Sequence, residues 1–481
     1  MKKICIFLVI LASGIELSVS KNLGNKCFIS PFEISDTNNL DITGTYELSL
    51  VQDNTEFRFL ITFGSDYTVT INMFTDASDS DIGTITFCVT EKGSYSILGK
   101  KLLCKWDKNT VTANVDTKQS NYNYNEYPEL KKEFDNLVDY LKNVFDGSFL
   151  INNEVEIVNI SNKEIELSNS QRSYKLRKIY TVKGDEIQLF VPLKTGKELY
   201  YFITKDTYIQ NEKVSYEEIW KFIVEEETSN DYTIVANLLN YSFKMENGGL
   251  TESVINIIYK SLERNPHRYK MASNGIVTDL LNSDEVEQIG NKKGITAQIA
   301  EYANHPELLE DINIQMEVSE MRKKAITKET RLCYANTNIY PLGSFGLLCN
   351  KPISNGMKDS FLTMDGFEKN ADYTKEVNQD GVMVVTVRTY LTIDDIKKQA
   401  LKFLEKEAPD KVDTFKKDPD AAITEKGLDQ YVQETTTNYT LDKFMLPTII
   451  ESTSLENKTL SKTRAVLVRK DVLINAGINI E

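Results

Sequence analysis

Apolar and polar positions alternate with unusual regularity between Phe57 and Phe74. Phe57, Phe59, Ile61 and Phe63 alternate with Arg58, Leu60 and Thr62, and after Gly64-Ser65-Asp66 the residues Tyr67, Val69, Ile71 and Met73 alternate with Thr68, Thr70 and Asn72. A period of two places one apolar face on each run, and the Gly-Ser-Asp step between them predicts a β-hairpin. The same period extends on both sides. Tyr46, Leu48 and Leu50 alternate after Gly44, an acidic stretch at 75–81 reads as a loop, and strands follow at 85–89 and across 93–106 with a turn near Gly99. After an interruption, strands are predicted at 154–158, 163–167, 173–178, 186–193 and 198–204.

The interruption is helical. Pro128 stands at a first helical turn and Gly147 just past the end, and Leu130, Phe134, Leu137, Val138, Leu141, Val144 and Phe145 share one face. After Asp206 the period changes to 3.6. Ser215-Tyr-Glu-Glu218 has the form of a capping box ahead of Ile219, Trp220, Phe222 and Ile223. A helix from Thr251 is expected to stop at Pro266, and further helices at 276–281, 296–304, 306–314 and 316–326. From Arg331 the pattern is mixed: a turn-rich loop or hairpin between Cys333 and Cys349, a strand at 382–391, a helix capped by Thr392 over 393–406, a charged linker or exposed loop at 406–426 and a strand at 464–474. The expected fold is therefore α+β and multidomain. Its parts are an antiparallel β meander at 21–205, barrel or sandwich, with an inserted helix at 128–146, a helical region at 206–330 and an α+β region at 331–481.

Residues 1–20 are set apart. Lys2 and Lys3 precede a largely apolar run, Ile4 to Ile15, and Ser18-Val19-Ser20 offers small residues at a cleavage point. That is the form of a secretory signal, which makes the expected product a secreted, extracellular protein with no transmembrane span in the mature chain. Export changes the reading of the cysteines. Cys88/Cys104 and Cys333/Cys349 are each sixteen residues apart, and in an oxidising compartment they are disulfide candidates that would each contribute about 2–4 kcal/mol, with Cys27 left over. The sequons at Asn159, Asn240, Asn438 and Asn457 become glycosylation candidates. A net charge of −15, from 71 acidic and 56 basic residues, argues against a nucleic-acid partner. The cluster Arg322-Lys323-Lys324 reads as a solvated helix face.

Tyr67-Thr-Val-Thr, Gly93-Ser-Tyr-Ser-Ile-Leu-Gly-Lys-Lys-Leu-Leu, Ile165-Glu-Leu and Tyr174-Lys-Leu-Arg177 together resemble the strand cadence of lipocalin-like domains, over Gly44 to Lys178. Gly44-Thr45-Tyr46 stands where that family opens on Gly-x-Trp, with Tyr in place of Trp, and the helix-bearing insertion between Asp116 and Asn153 is atypical of it. The resemblance implies a small antiparallel barrel, often with a ligand cavity. Tyr46, Leu48, Phe59, Ile61, Tyr67, Val69, Ile71, Phe87 and Tyr95 are then the candidates for an apolar ligand-binding interior.

Catalytic chemistry is sparse. A nucleophile system would have to draw on His267 or His305, and both stand beside prolines at expected helix boundaries, where histidines serve as caps or solvated side chains. No His-Glu-x-x-His occurs, Gly343-Ser344-Phe345-Gly346 lacks the spacing of a nucleophile elbow, and Asp76, Asp79 and Asp81 lack the twelfth-position glutamate of a calcium loop. No metal site and no cofactor is expected. The leading expectation is a secreted, non-enzymatic binding protein for an apolar small molecule. The alternatives are an extracellular structural or surface interaction protein without a cavity, and a hydrolase working through carboxylates alone.

Overall fold

The computed structural model describes residues 40–480 except 53–54, 80–82, 117–127, 152–153, 162, 170–172, 210–211, 246–249, 310–311, 363–367, 379–381, 427–431 and 457–458. Two compact units are present, Met1–Val182 and Lys183–Glu481. Among the described residues no helix is long and apolar enough to cross a membrane.

In the first unit each strand is antiparallel to the next: β1 (Gly44–Gln52), β2 (Thr55–Phe63), β3 (Thr68–Asp79), β4 (Gly83–Leu98), β5 (Lys101–Val115), β6 (Val155–Ile160), β7 (Glu164–Ser168) and β8 (Ser173–Lys183). The opening hairpin holds its expected register, with Ile61 opposite Ile71 and Phe63 opposite Val69. β1 pairs with β8 as well as with β2, through Thr45↔Tyr180, Tyr46↔Lys178 and Glu47↔Arg177, so the meander returns on itself. Gly44 makes this seam possible. Its φ is +134°, and a Cβ there would lie 2.9 Å from Thr181 Cγ2 and 3.0 Å from the Tyr180 carbonyl. The helix Pro128–Val144 lies between β5 and β6, which among the described residues pair through Lys101↔Glu156 and Leu102↔Val155.

The second unit carries β9 (Glu186–Leu189), β10 (Glu198–Ile209), β11 (Glu212–Glu227), β12 (Asp231–Met245), β13 (His267–Ala272), β14 (Val277–Leu280), β15 (Pro352–Ile353), β16 (Met357–Leu362), β17 (Glu368–Val377), β18 (Met383–Tyr390), β19 (Gln433–Leu441), β20 (Pro447–Glu456) and β21 (Thr459–Val468). All but β9 and β15, which pair with each other, form one antiparallel sheet in the order β14-β13-β12-β11-β10-β21-β20-β19-β18-β17-β16. The β10–β21 ladder therefore joins segments far apart in sequence, with Tyr200 opposite Val468. Helices Leu250–Leu262 and Ser283–Asn304 approach closely because Gly290 and Gly294, one turn apart, face the first helix. A Cβ at Gly290 would sit 3.1 Å from the Ser261 carbonyl, and one at Gly294 would meet the Arg322 stem at 2.6 Å.

Several expectations are corrected. The helix read at 215–223 is β11, so the region 206–330 opens with strand rather than helix, and the units divide at Val182/Lys183 rather than at 205. Ser215 does not cap a helix: its hydroxyl donates to Asp206 Oδ1 at 2.7 Å. Both faces of β11 are covered, with Ile219 packing against Leu473 and Ile480 on one side and Trp220, Phe222 and Val224 buried on the other. Double-sided burial erases the two-residue alternation. The expected helix at 276–281 is β14. The loop expected between Cys333 and Cys349 is helix Lys328–Thr337 followed by Leu342–Leu348, which takes in Gly343-Ser344-Phe345-Gly346. The linker at 406–426 contains helices Val412–Lys417 and Pro419–Glu425, anchored by buried Phe415 and Ile423. The last strand ends at Val468, and Lys470–Asn475 is helical. The acidic stretch at 75–81 is strand as far as Asp79; Asp81 lies outside the described residues. Expectation and structure agree on the helix ending at Leu262 and on Thr392, whose capping box with Asp395 starts helix Ile393–Glu407.

Neither sixteen-residue cysteine pair is bridged. Cys104 stands opposite Tyr95, whereas Cys88 is opposite Asn114. Seven residues of strand separate Cys88 from Tyr95, roughly 23 Å at the rise of a β-strand, so the two sulfurs cannot meet. Cys333 and Cys349 are free thiols: Cys333 is half-buried on one helix and Cys349 fully buried after the next. Cys27 and Asn457 lie outside the described residues, and Asn159, Asn240 and Asn438 are exposed on β6, β12 and β19.

Candidate functional site

The residues expected to line a ligand interior come from four strands of the first unit. Tyr46 and Leu48 lie on β1, Phe59 and Ile61 on β2, Val69 and Ile71 on β3, and Phe87 and Tyr95 on β4, and all are buried in one cluster. Alternation along each strand and direct pairing between strands bring them to a common face. Tyr67 is the exception. It belongs to the turn, where its N–H donates to the Gly64 carbonyl at 3.1 Å, and with φ at +63° its side chain is 61% exposed. Its ring touches the site only from outside, tilted against Tyr95 at 5.7 Å.

The interior is built from rings in edge contact. Phe63 lies 5.9 Å from Tyr46 and 5.2 Å from Tyr95, both T-shaped. Each tyrosine hydroxyl is used: Tyr46 donates to the Ile42 carbonyl at 3.0 Å and Tyr95 to the Gly64 carbonyl at 2.9 Å. Burial, then the charge of Asp41, pushes the Tyr95 hydroxyl up to about 12 and Tyr46 higher still, so both stay protonated. At the β1–β8 seam buried Glu47 pairs with half-buried Arg177, and the Lys178 ammonium lies 5.2 Å from the centre of the Tyr46 ring. Burial holds Lys178 below the ordinary lysine range.

The inserted helix supplies the other wall. Phe134, Leu137 and Leu141 join the same cluster, with Phe134 6.1 Å from Phe87. The segment after the helix is strapped down by three contacts. Trp106 Nε1 donates to the Ile151 carbonyl at 3.1 Å, Lys108 pairs with Asp146 at 3.0 Å, and the Gly147 N–H donates to Glu91 Oε2 at 2.5 Å. Gly147 must be glycine here, since a Cβ would stand 2.8 Å from the Trp106 ring. Glu91 is fully buried, and its second oxygen has no partner. Burial raises its pKa, against the Gly147 hydrogen bond.

Two open clefts lie elsewhere. One, of about 690 Å³, is lined by Leu98, Lys101, Glu154, Glu156 and Asn169. The other, of about 540 Å³, lies over Lys92, Gly93, Lys105, Trp106 and Thr110. None of the interior candidates lines either. Sequence reading missed Glu91, which looks like any strand-edge charge, and the role of Phe134 as a cluster member. The signal for Phe134 was present in the apolar helix face; for Glu91 there was none.

No protein-family model matches the sequence, and no curated protein does. Among solved structures, one described as "Lipid-protein interactions in lipovitellin" is similar at 10% identity and a TM-score of 0.30, covering 57% of this chain. The chain spans about a quarter (25%) of the length of that structure.

Proposed function

We propose that this chain is an exported, non-enzymatic protein that works through its surface as a structural or interaction component, with a lipocalin-like barrel whose interior is core rather than cavity. One observation carries the reading. The candidate wall residues Tyr46, Leu48, Phe59, Ile61, Val69, Ile71, Phe87 and Tyr95 are buried together with Phe134, Leu137 and Leu141 of the inserted helix. Side chains that fill a small barrel leave no room for a ligand. The β1–β8 pairing supports a barrel over an open sandwich, and the basic-then-apolar opening at Lys2 to Ile15 supports export.

Native mass spectrometry of the purified full-length chain tests the reading. The expected spectrum shows the protein mass alone, with no adduct after incubation with fatty acids or sterols. A stoichiometric apolar adduct that is lost on Phe87→Trp substitution would overturn it in favour of ligand carriage.

A further inference from the structure

Arg331 is the least expected charge in the second unit. It lies on helix Lys328–Thr337, only 2% exposed, and its Nε has no hydrogen-bond partner. No described carboxylate pairs with it, although the chain carries a net charge of −15. Two other arginines, half-buried Arg177 and buried Arg322, have side-chain partners, although the Nε of Arg322 is likewise left over. Arg177 is paired with Glu47, and Arg322 donates to Asn291 Oδ1 at 2.9 Å while its stem fills the space over Gly294.

The surroundings of Arg331 are aromatic and imidazole. Its guanidinium carbon lies 5.5 Å from the centre of the Tyr334 ring, and Tyr334 is 47% exposed, so the charge sits just beneath a surface ring. Beside it are His267 and Tyr269, two residues apart on β13, both fully buried and stacked at 5.9 Å with an interplanar angle of 12°; the Tyr269 hydroxyl donates to the Arg331 carbonyl at 3.4 Å and lies within hydrogen-bonding reach of its guanidinium, leaving Nε as the orphaned donor. Neither nitrogen of His267 makes a well-formed hydrogen bond, and the nearest polar group besides Arg331 is the Asn265 backbone. This overturns its sequence assignment as a solvated boundary residue, and burial followed by the Arg331 charge holds the ring neutral. A buried guanidinium without a counter-charge is strongly unfavourable, and its planar fork of N–H donors is matched by two oxygens of one oxyanion.

We propose that Arg331, with His267 behind it and Tyr334 as its outer wall, forms a binding site for a small oxyanion, the phosphate or carboxylate group of a ligand. The guanidinium supplies the charge and the paired donors. The neutral imidazole adds one N–H. The Tyr334 ring limits access and screens the bound group from water.

Thermal unfolding of the full chain tests this, with inorganic phosphate and acetate titrated separately at constant ionic strength against chloride. One of the two is expected to raise the midpoint saturably, by about 2–4 °C, and whichever does so identifies the class of oxyanion. Arg331→Gln should abolish that rise. Should Arg331→Gln not fold, Tyr334→Asp provides a second route, because it places a carboxylate at a half-exposed position over the guanidinium and should remove the response to added anion. A shift no larger than that with chloride, or an equal shift in wild type and either variant, overturns the site.

Discussion

Glu91 offers the sharpest check on how the inserted helix is held. Its carboxylate is buried, one oxygen receives the Gly147 N–H at 2.5 Å and the other receives nothing. Glu91→Ala would remove a charge-assisted hydrogen bond, worth about 1.5–3 kcal/mol, and strand the Gly147 donor. Glu91→Gln keeps an acceptor of the same shape and removes the charge, so it should cost less than about 1 kcal/mol near neutral pH. The two variants also separate in pH. Burial raises the Glu91 pKa, with Asp146 and Asp107 adding to the rise and Gly147 and Lys108 opposing it. The folded protein therefore holds a proton that the unfolded chain releases near pH 4.3. Stability falls with pH wherever the native state binds more protons. The stability of wild type minus that of Glu91→Gln should be level below about pH 4.3 and then decline as pH rises through the raised pKa. Urea unfolding at a series of pH values, followed by Trp106 fluorescence in a Trp220→Phe background, measures that difference directly. A difference that stays flat, or grows with pH, would refute the assignment of Glu91 as a buried carboxylate destabilised by its own charge.

Other consequences can be checked on the same material. Phe134→Ala should destabilise the first unit by about 3–5 kcal/mol in denaturant titrations, because its ring packs on Phe87 inside the core. Gly44→Ala should cost about 1–3 kcal/mol and speed hydrogen exchange at Thr45 to Glu47, since both its φ and its distance to Thr181 exclude a side chain. Thr392→Ala should remove about 1 kcal/mol by breaking the capping box, detectable as a lower unfolding midpoint. In native protein without reductant, an alkylating reagent should modify Cys333 first and reach Cys104 and Cys349 only after unfolding; burial pushes the Cys104 thiol up to about 12 and Cys349 higher.

Legibility in the sequence followed the locality of each interaction. The turn at Gly99, the helix from Pro128, the stop at Leu262 and the cap at Thr392 depend on neighbours in the chain and were read correctly. β11 was misread because Ile219 and Trp220 are buried on opposite faces at a bulge, which gives a strand the apolar density of a helix. The cysteine pairing failed because sequence separation says nothing of register, and the β4–β5 ladder sets Cys88 opposite Asn114 and Cys104 opposite Tyr95. At the site, eight of the nine ligand-interior candidates sit on the inward face as expected, and Tyr67 fails because the turn runs one residue longer than Gly64-Ser65-Asp66. Burial of Arg331 and Glu91 had no trace in the chain, since a charge reads the same whether a second layer covers it or not.

The β1–β8 seam also bears on the order in which the chain is made. Glu47 and Arg177 are 130 residues apart, so during synthesis β1 emerges long before the strand that completes its pairing. The hairpins from β2 to β5 can form from local contacts meanwhile, and closing the ring is the slow, non-local step. Until β8 is available, β1 and β7 both present unpaired edges, which are templates for joining a neighbouring chain. A product that stops short of Ser173 would therefore be predisposed to self-association, and closure of the ring marks the point at which a nascent chain becomes safe to release.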